Sequence, residues 1–233
     1  MKISKETLAI MKSFTVINNV FYLGVDVNAF SVVSSDNGFN GTYFDIPEKF
    51  EKYCMFQDAS QLLSTIEAMG GEEAELEFED QFVRITNKDG IHVKYLYSDE
   101  LIIAKNNPRP KGYEKYSKPF DNTQEDYFKF EISREVLDKI LKTSKILNLE
   151  QITFELKKGK GSVTIEKFVK EKKGLDTHKI DMEITGEGSG SVSINLDRFN
   201  ILSGDYNVEA RNGLVTKWIN KNIKLIYNIA ARS

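Results

Sequence analysis

The sequence predicts an α+β chain of two similar domains, each with helices on one face of antiparallel sheets. Three observations predict it. One amphipathic helix pattern occurs twice, short runs of β-type alternation follow both copies, and a proline-rich stretch without periodicity lies between the halves. The repeat is the most telling. Residues 4–19 read SKETLAIMKSFTVINN and residues 133–148 read SREVLDKILKTSKILN. At a constant offset of 129 residues, Ser4, Glu6, Leu8, Ile17 and Asn19 match Ser133, Glu135, Leu137, Ile146 and Asn148. A unit that recurs within one chain implies two related domains.

Taken in order, Ser4 is placed to cap the first helix, and Glu6 in its first turn favours the positive end of the helix dipole. Ile10, Met11, Phe14 and Ile17 are spaced for one buried face, while Lys2, Lys5, Ala9 and Lys12 share the other. Such a stripe reads either as a solvated face or as a binding face. The runs VFYLGVDV, AFSVVSS, GTYFDI and YCMF then read as strands, punctuated by Gly, Asn and Pro. A second helix follows over about 58–69, with Asp58 and Gln61 as a capping box and Gly70-Gly71 as its stop. Strands resume at AELEFED, FVRIT, IHVKYLY and LIIAK.

Residues 105–126 hold three of the four prolines, Pro108, Pro110 and Pro119, and no periodicity. They form the expected connector between a domain over 1–104 and a domain over 127–233. After it the order recurs. FKFEI reads as a strand, and 133–147 as a helix with Val136, Ile140, Ser144 and Leu147 inward. Lys139 and Lys142 lie on its polar side, flanked by Arg134 and Lys145. Strands follow at QITFELK, SVTIEKF, HKIDMEIT and GSVSI. A short helix is expected over NLDRFNILSG, with Leu196, Phe199 and Leu202 inward. The chain finishes with strands YNVEAR, LVTKWI and IKLIYNIA. The closing strands repeat loosely at an offset of 132, where Glu77, Val83 and Tyr95 face Glu209, Val215 and Tyr227.

At 233 residues, 40% apolar and 29% charged, the chain can build two cores under a soluble surface. The net charge of −3 hides an uneven distribution: residues 72–80 carry six carboxylates and no base, whereas both repeated helices are net positive. Cys54 is the only cysteine, so no internal disulfide can form, which suits a reducing compartment. No apolar run reaches membrane-spanning length and no signal peptide opens the chain, so a cytosolic protein without a membrane partner is expected.

Catalytic patterns are lacking. His92 and His178 each sit in a strand pattern with no second ligand at metal-binding spacing, and Cys54 has no activating neighbour in sequence. The glycines at 159–161 and 186–190 join strand to strand and read as hairpin turns, since a phosphate loop needs a helix after it. A binding protein is therefore expected, not an enzyme, with no cofactor and no metal. Basic helix faces without aromatic interleaving suit phosphate contact without base readout, whereas single-strand binding would favour stacking platforms.

The opening MKISKETLAIMKSFTVIN, with Met-Lys-aliphatic-Ser-Lys, then Thr7, Lys12, Phe14 and Thr15-x-Ile17-Asn18, resembles the DNA polymerase processivity factor, or sliding clamp, of T-even-like bacteriophages. So do Asn107-Pro108-x-Pro110 and GDYNV at 204–208. The similarity runs through the whole chain and is dense over the first twenty or so residues. It implies a homotrimeric ring of two-domain subunits, with helices lining the hole and sheets outside, that encircles double-stranded DNA and catalyses nothing itself. It implies an ATP-dependent clamp loader, a replicative DNA polymerase and proteins of late transcription as partners, in the cytoplasm of the bacterial host. On this carry-over Lys5, Lys12, Arg134, Lys139, Lys142 and Arg198 face the DNA, and the acidic 72–80 stretch faces away. Tyr113, Tyr116 and Phe120 in the connector either dock partner peptides or pin the connector to the sheet. The competing expectation is a duplicated β-rich phage structural or assembly protein with no role at DNA.

Overall fold

In each half of the molecule a capped helix lays its apolar side on a core closed by antiparallel strands. The computed structural model describes residues 1–23, 29–99, 118–167 and 179–232. The chain divides into two compact units, Met1–Tyr113 and Glu114–Ser233, a boundary that falls inside the expected connector. The LIIAK run, His178 and connector residues 105–117 lie outside the described residues.

The first unit begins with α1 (Lys5–Thr15). Its early backbone donors need partners from outside the helix. The Ser4 hydroxyl accepts from Thr7 N at 3.2 Å, and Glu48 accepts from Ser4 N at 2.6 Å and from the Thr7 hydroxyl at 2.8 Å. Ile10, Met11 and Phe14 are buried, and Phe14 stacks on Phe30 with ring centroids 5.3 Å apart. There follow β1 (Phe21–Leu23), β2 (Ala29–Val33), β3 (Phe39–Phe44) and β4 (Cys54–Phe56). Next comes α2 (Ala59–Ala68), capped by Asp58 accepting from Gln61 N at 2.9 Å and ended by Gly70 at φ +116°. Then come a single 3-10 turn at Gly71–Glu73 and strands β5 (Glu75–Phe78), β6 (Phe82–Thr86) and β7 (His92–Leu96). β1 pairs with β4, β2 with β3, and β5-β6-β7 form one antiparallel sheet. Asn19 joins the helices: its side chain accepts from Ser60 N at 2.8 Å and donates to Asp58 at 3.0 Å, so α1 ends where α2 begins.

The second unit holds β8 (Tyr127–Ile132), α3 (Arg134–Leu147), β9 (Gln151–Lys157), β10 (Lys160–Glu166), β11 (Lys179–Gly188) and β12 (Gly190–Asn195). It closes with β13 (Tyr206–Arg211), β14 (Val215–Asn220) and β15 (Leu225–Ala230). Its strands run in the order β12-β9-β10-β11-β8-β13-β14-β15. Trp218 is fully buried at its centre, against Phe199 at 4.8 Å, Phe154 at 5.5 Å and Tyr206 at 6.0 Å between ring centroids.

The pairings of the first unit recur here: β9 with β12, β10 with β11, and β13-β14-β15 in sequence. Even the missing first strand has a counterpart. Met1 and Leu76 exchange both backbone hydrogen bonds at 2.7 Å, as β8 lies along β13 with Phe130 opposite Val208. Met1 and Phe130 differ by the same 129 positions as the helices.

Four expectations are corrected. The segment 195–204 is a string of turns, not a helix. Phe199 and Ile201, two apart, are both buried, a spacing no single helix face provides, while Leu202 is half-exposed. Leu202 N donates to the Tyr227 hydroxyl at 3.2 Å and its carbonyl accepts from the Tyr206 hydroxyl at 2.6 Å, so tyrosines take the groups a helix would use. The glycines at 186–190 form no hairpin, because β11 and β12 do not pair. The chain crosses β8 so closely there that a Cβ on Gly190 would lie 2.4 Å from the Phe128 ring. The offset of 132 holds at Glu77 and Glu209 but drifts along the closing strands. Glu77 faces Arg84 and Arg84 faces Lys94, whereas Glu209 faces Lys217 and Lys217 faces Asn228, offsets of 133 and 134. On α3, Leu137 joins Ile140 and Ser144 in the core, and Val136 and Leu147 are only half-buried.

Phe154 reaches the only tryptophan, so its truncation is readable there. Phe154→Ala should cost about 3–5 kcal/mol. Denaturant unfolding followed by Trp218 fluorescence should show a correspondingly lower midpoint.

Candidate nucleic-acid interface

Burying Ile10, Met11 and Phe14 leaves Lys5, Ala9, Lys12 and Val16 along the outer side of α1, at helical spacing. These lysines are not equivalent. Lys12 donates from Nζ to Oε1 of Glu67 on α2. Lys5 makes no ion pair among the described residues. Just before the helix, Lys2 pairs with Glu73 at 2.7 Å, a bond that raises the Lys2 ammonium pKa and lowers that of the Glu73 carboxyl. The exposed positions of α2 beside this face are Ser60, Gln61, Ser64, Glu67 and Ala68, with no cation among them.

On α3, Leu137, Ile140 and Ser144 face the core, and Lys139, Lys142 and Lys145 stand opposite, all exposed. None of the three makes an ion pair among the described residues. Arg134 opens the helix. Its backbone N donates to Asp205 at 2.8 Å and its guanidinium lies 3.7 Å from Asp138, one turn on. Arg198 sits on the turn that replaces the expected short helix, half-exposed, with its backbone N bonded to Asn195 O at 3.1 Å. The turn that carries it lies beside the end of α3: Asn195, Leu196 and Asp197 line one hollow with Leu141, Lys145 and Asn148.

The two helices match at their starts and part at their ends. Ser4 and Ser133 both cap, and Leu8 and Leu137 are both buried. Ile17 is 7% exposed but Ile146 is 66% exposed, because α3 runs for 14 residues against 11 for α1 and still carries Ile146 on its outer side. Asn19 reaches α2, whereas Asn148 ends α3 in a left-handed conformation at φ +50°.

The acidic stretch is largely paired. Glu77 and Glu79 lie 3.7 and 3.8 Å from Arg84, and Lys52 reaches Asp80 at 2.6 Å. β5 turns Leu76 into the core and Glu75 and Glu77 to the opposite, exposed face.

Of the connector aromatics, Tyr113 and Tyr116 lie outside the described residues. Phe120 is half-buried on the second unit. Its backbone N donates to Glu209 at 3.0 Å, and the Lys217 ammonium lies 4.6 Å from the centre of its ring. Lys217 is 1% exposed, donates to the Lys118 carbonyl, and has its pKa lowered by burial. Glu209 and Lys217 are cross-strand partners on β13 and β14, so together they clip residues 118–120 to the sheet. Sequence reasoning missed Lys217 and Glu67 altogether. The sole trace of the first was a lysine inside the apolar run LVTKWI.

No group of three metal-ligating side chains occurs among the described residues. Burial pushes the Cys54 thiol up, away from the reactive thiolate. No helix among them is long and apolar enough to cross a membrane.

No family model matches the chain. A protein of Vibrio phage KVP40 named sliding clamp is 23% identical over 239 residues, the whole of both chains. Among solved structures, a putative DNA polymerase III beta subunit from Eubacterium rectale superposes with a TM-score of 0.64 at 17% identity. That match takes in all of this chain and 65% of the beta subunit, so the chain spans just under two thirds of that relative's length. A. fulgidus PCNA, bound to the C-terminal region of FEN-1, superposes with a TM-score of 0.63 at 13% identity over 97% of this chain and 94% of its own. The chain has the sliding-clamp fold. Within it, α1 and α3 are the duplicated helices, and the clip at Lys217 fastens the end of the connector to the second clamp unit.

Lys217→Met keeps the stem of the side chain and removes its donor. Amide hydrogen exchange at Phe120 should rise at least several-fold while exchange in α3 stays unchanged.

Proposed function

We propose that this protein is a sliding clamp, a ring that encircles duplex DNA without reading its sequence and keeps the replicative polymerase on its template. The observation that carries this is the clamp fold running the full length of the chain, with a basic outer face on the duplicated helix of each unit. The named sliding clamp of the Vibrio phage, alike over its whole length, supports the same reading and a phage setting. No catalytic step is assigned to the chain.

The finer assignments belong to this reading. Three copies form a closed ring in a T-even-like replication system. Head-to-tail contacts that close leave no free end, and an exposed strand edge is a ready site for such pairing. β7 is the last strand of its sheet among the described residues and leaves Val93 and Leu96 exposed, with Ile91 just before it. An ATP-dependent loader opens the ring, and late-transcription proteins and the polymerase dock on it. The peptide of FEN-1 on PCNA supports docking of short partner segments, for which Tyr113, Tyr116 and Phe120 remain the candidates. Lys5, Lys12, Arg134, Lys139, Lys142 and Arg198 are the proposed phosphate contacts. Such contacts need only be weak and salt-sensitive, because topology retains the ring.

Two measurements test this. Solution mass should give a trimer, and after incubation with its loader and ATP the protein should stay on nicked circular DNA and be lost when the circle is cut. A monomer that associates equally with circles and linear DNA would overturn the reading. Reversing Lys5, Lys12, Lys139 and Lys142 together to Glu should leave the trimer intact and reduce retention on circles at least tenfold.

A further inference from the structure

The two duplicated helices do not offer the same charge. On α3, Lys139, Lys142 and Lys145 stand opposite the buried Leu137, Ile140 and Ser144; Glu135 and Asp138 are exposed one turn before Lys139 and Lys142, yet the three lysines make no ion pair among the described residues. On α1 the matching face is answered from within its own unit. Lys12 is bonded to Glu67, and α2 adds no cation beside it. At the start of α1, a hollow of charged groups is balanced: the Met1 ammonium, Lys2 and Lys49 stand against Glu48, Glu72 and Glu73. Lys5 is the remaining unpaired cation on that face among the described residues.

Phosphate affinity of this kind comes from releasing the counterions of DNA onto protein cations. A lysine already held by a carboxylate contributes less, since DNA must displace the carboxylate or carry its repulsion. The Lys12–Glu67 pair is about half-exposed on both sides, so it adds little to the stability of the fold. Its consequence is electrostatic. We infer that α3 of the second unit carries most of the DNA contact, and that Glu67 is a built-in counter-ion that holds Lys12 of the first unit back from the phosphates. The inference rests on the proposed binding of duplex DNA and adds which unit grips and which residue limits the grip.

The test is the affinity of the full-length protein for a short fluorescent duplex, measured by anisotropy at 50 and 200 mM salt. Releasing one further phosphate contact should multiply the affinity lost between those two salts by about 3.5. Glu67→Gln should tighten binding at low salt and steepen its salt dependence by about that factor. Adding Lys12→Met to Glu67→Gln should cancel the gain. Lys139→Ala with Lys142→Ala should weaken binding about tenfold at low salt, and Lys5→Ala with Lys12→Ala by less than about threefold. Equal losses from the α1 and α3 pairs, or no effect of Glu67→Gln, would overturn the inference. A failure of the clamp reading shows separately, as loss of wild-type retention on circular DNA.

Discussion

A helix packed on a sheet can bury only one side, and in this molecule that constraint decides everything its outer surface can do. Phe14 and Ile10 on α1, and Leu137 and Ile140 on α3, are held in cores built by strands distant in sequence. Once those side chains are seated, the azimuth of Lys5, Lys12, Lys139 and Lys142 follows from 3.6 residues per turn. The caps set the remaining degree of freedom. Ser4 and Ser133 fix where each helix starts, and Glu48 holds the first turn of α1 from outside. The candidate interface is thus a by-product of core packing, and its precision is that of the core.

Duplication preserved this arrangement where it is tightest. The offset of 129 runs unbroken from Met1 through Leu8, across the edge strand and the capped start of the helix. At the helix end the offset still pairs Ile17 with Ile146 and Asn19 with Asn148 in sequence, but their surroundings part: α3 is three residues longer and Ile146 stays outside, while Asn19 clips α2. The closing strands slip by one residue at each hairpin and still keep an acid facing a base, Glu77 with Arg84 and Glu209 with Lys217. In the first unit that pair is only partly covered, with Glu77 exposed and Arg84 half-buried. In the second, residues 118–120 cover it and the lysine becomes buried. The same cross-strand position has become a fastening for the connector.

Local signals were therefore legible in the sequence and distant ones were not. Ser4 and Asp58 announce their caps because a cap is settled within three residues. The lysine faces could be read because helix period is local. The pairing of Lys12 with Glu67 spans 55 residues, and that of Lys217 with Lys118 spans 99, so no window along the chain contains either. The segment 195–204 carried a plausible helix pattern, but Tyr206 and Tyr227, arriving from β13 and β15, claimed the backbone of Leu202. Ten residues make a marginal helix by themselves, so a few tertiary hydrogen bonds are enough to decide against it.

The charge distribution makes sense if the protein must hold DNA without gripping it. A ring kept in place by topology gains nothing from tight phosphate contact, since each contact slows sliding and strengthens with falling salt. The net charge is −3, and the exposed face of β5 carries Glu75 and Glu77, so attraction for phosphate is not spread evenly over the surface. Answering Lys12 with Glu67, while Lys139 and Lys142 make no ion pair among the described residues, leaves α1 the weaker of two attractive faces. Two copies of one domain make this possible, because one can be tuned down without losing the fold that both must share.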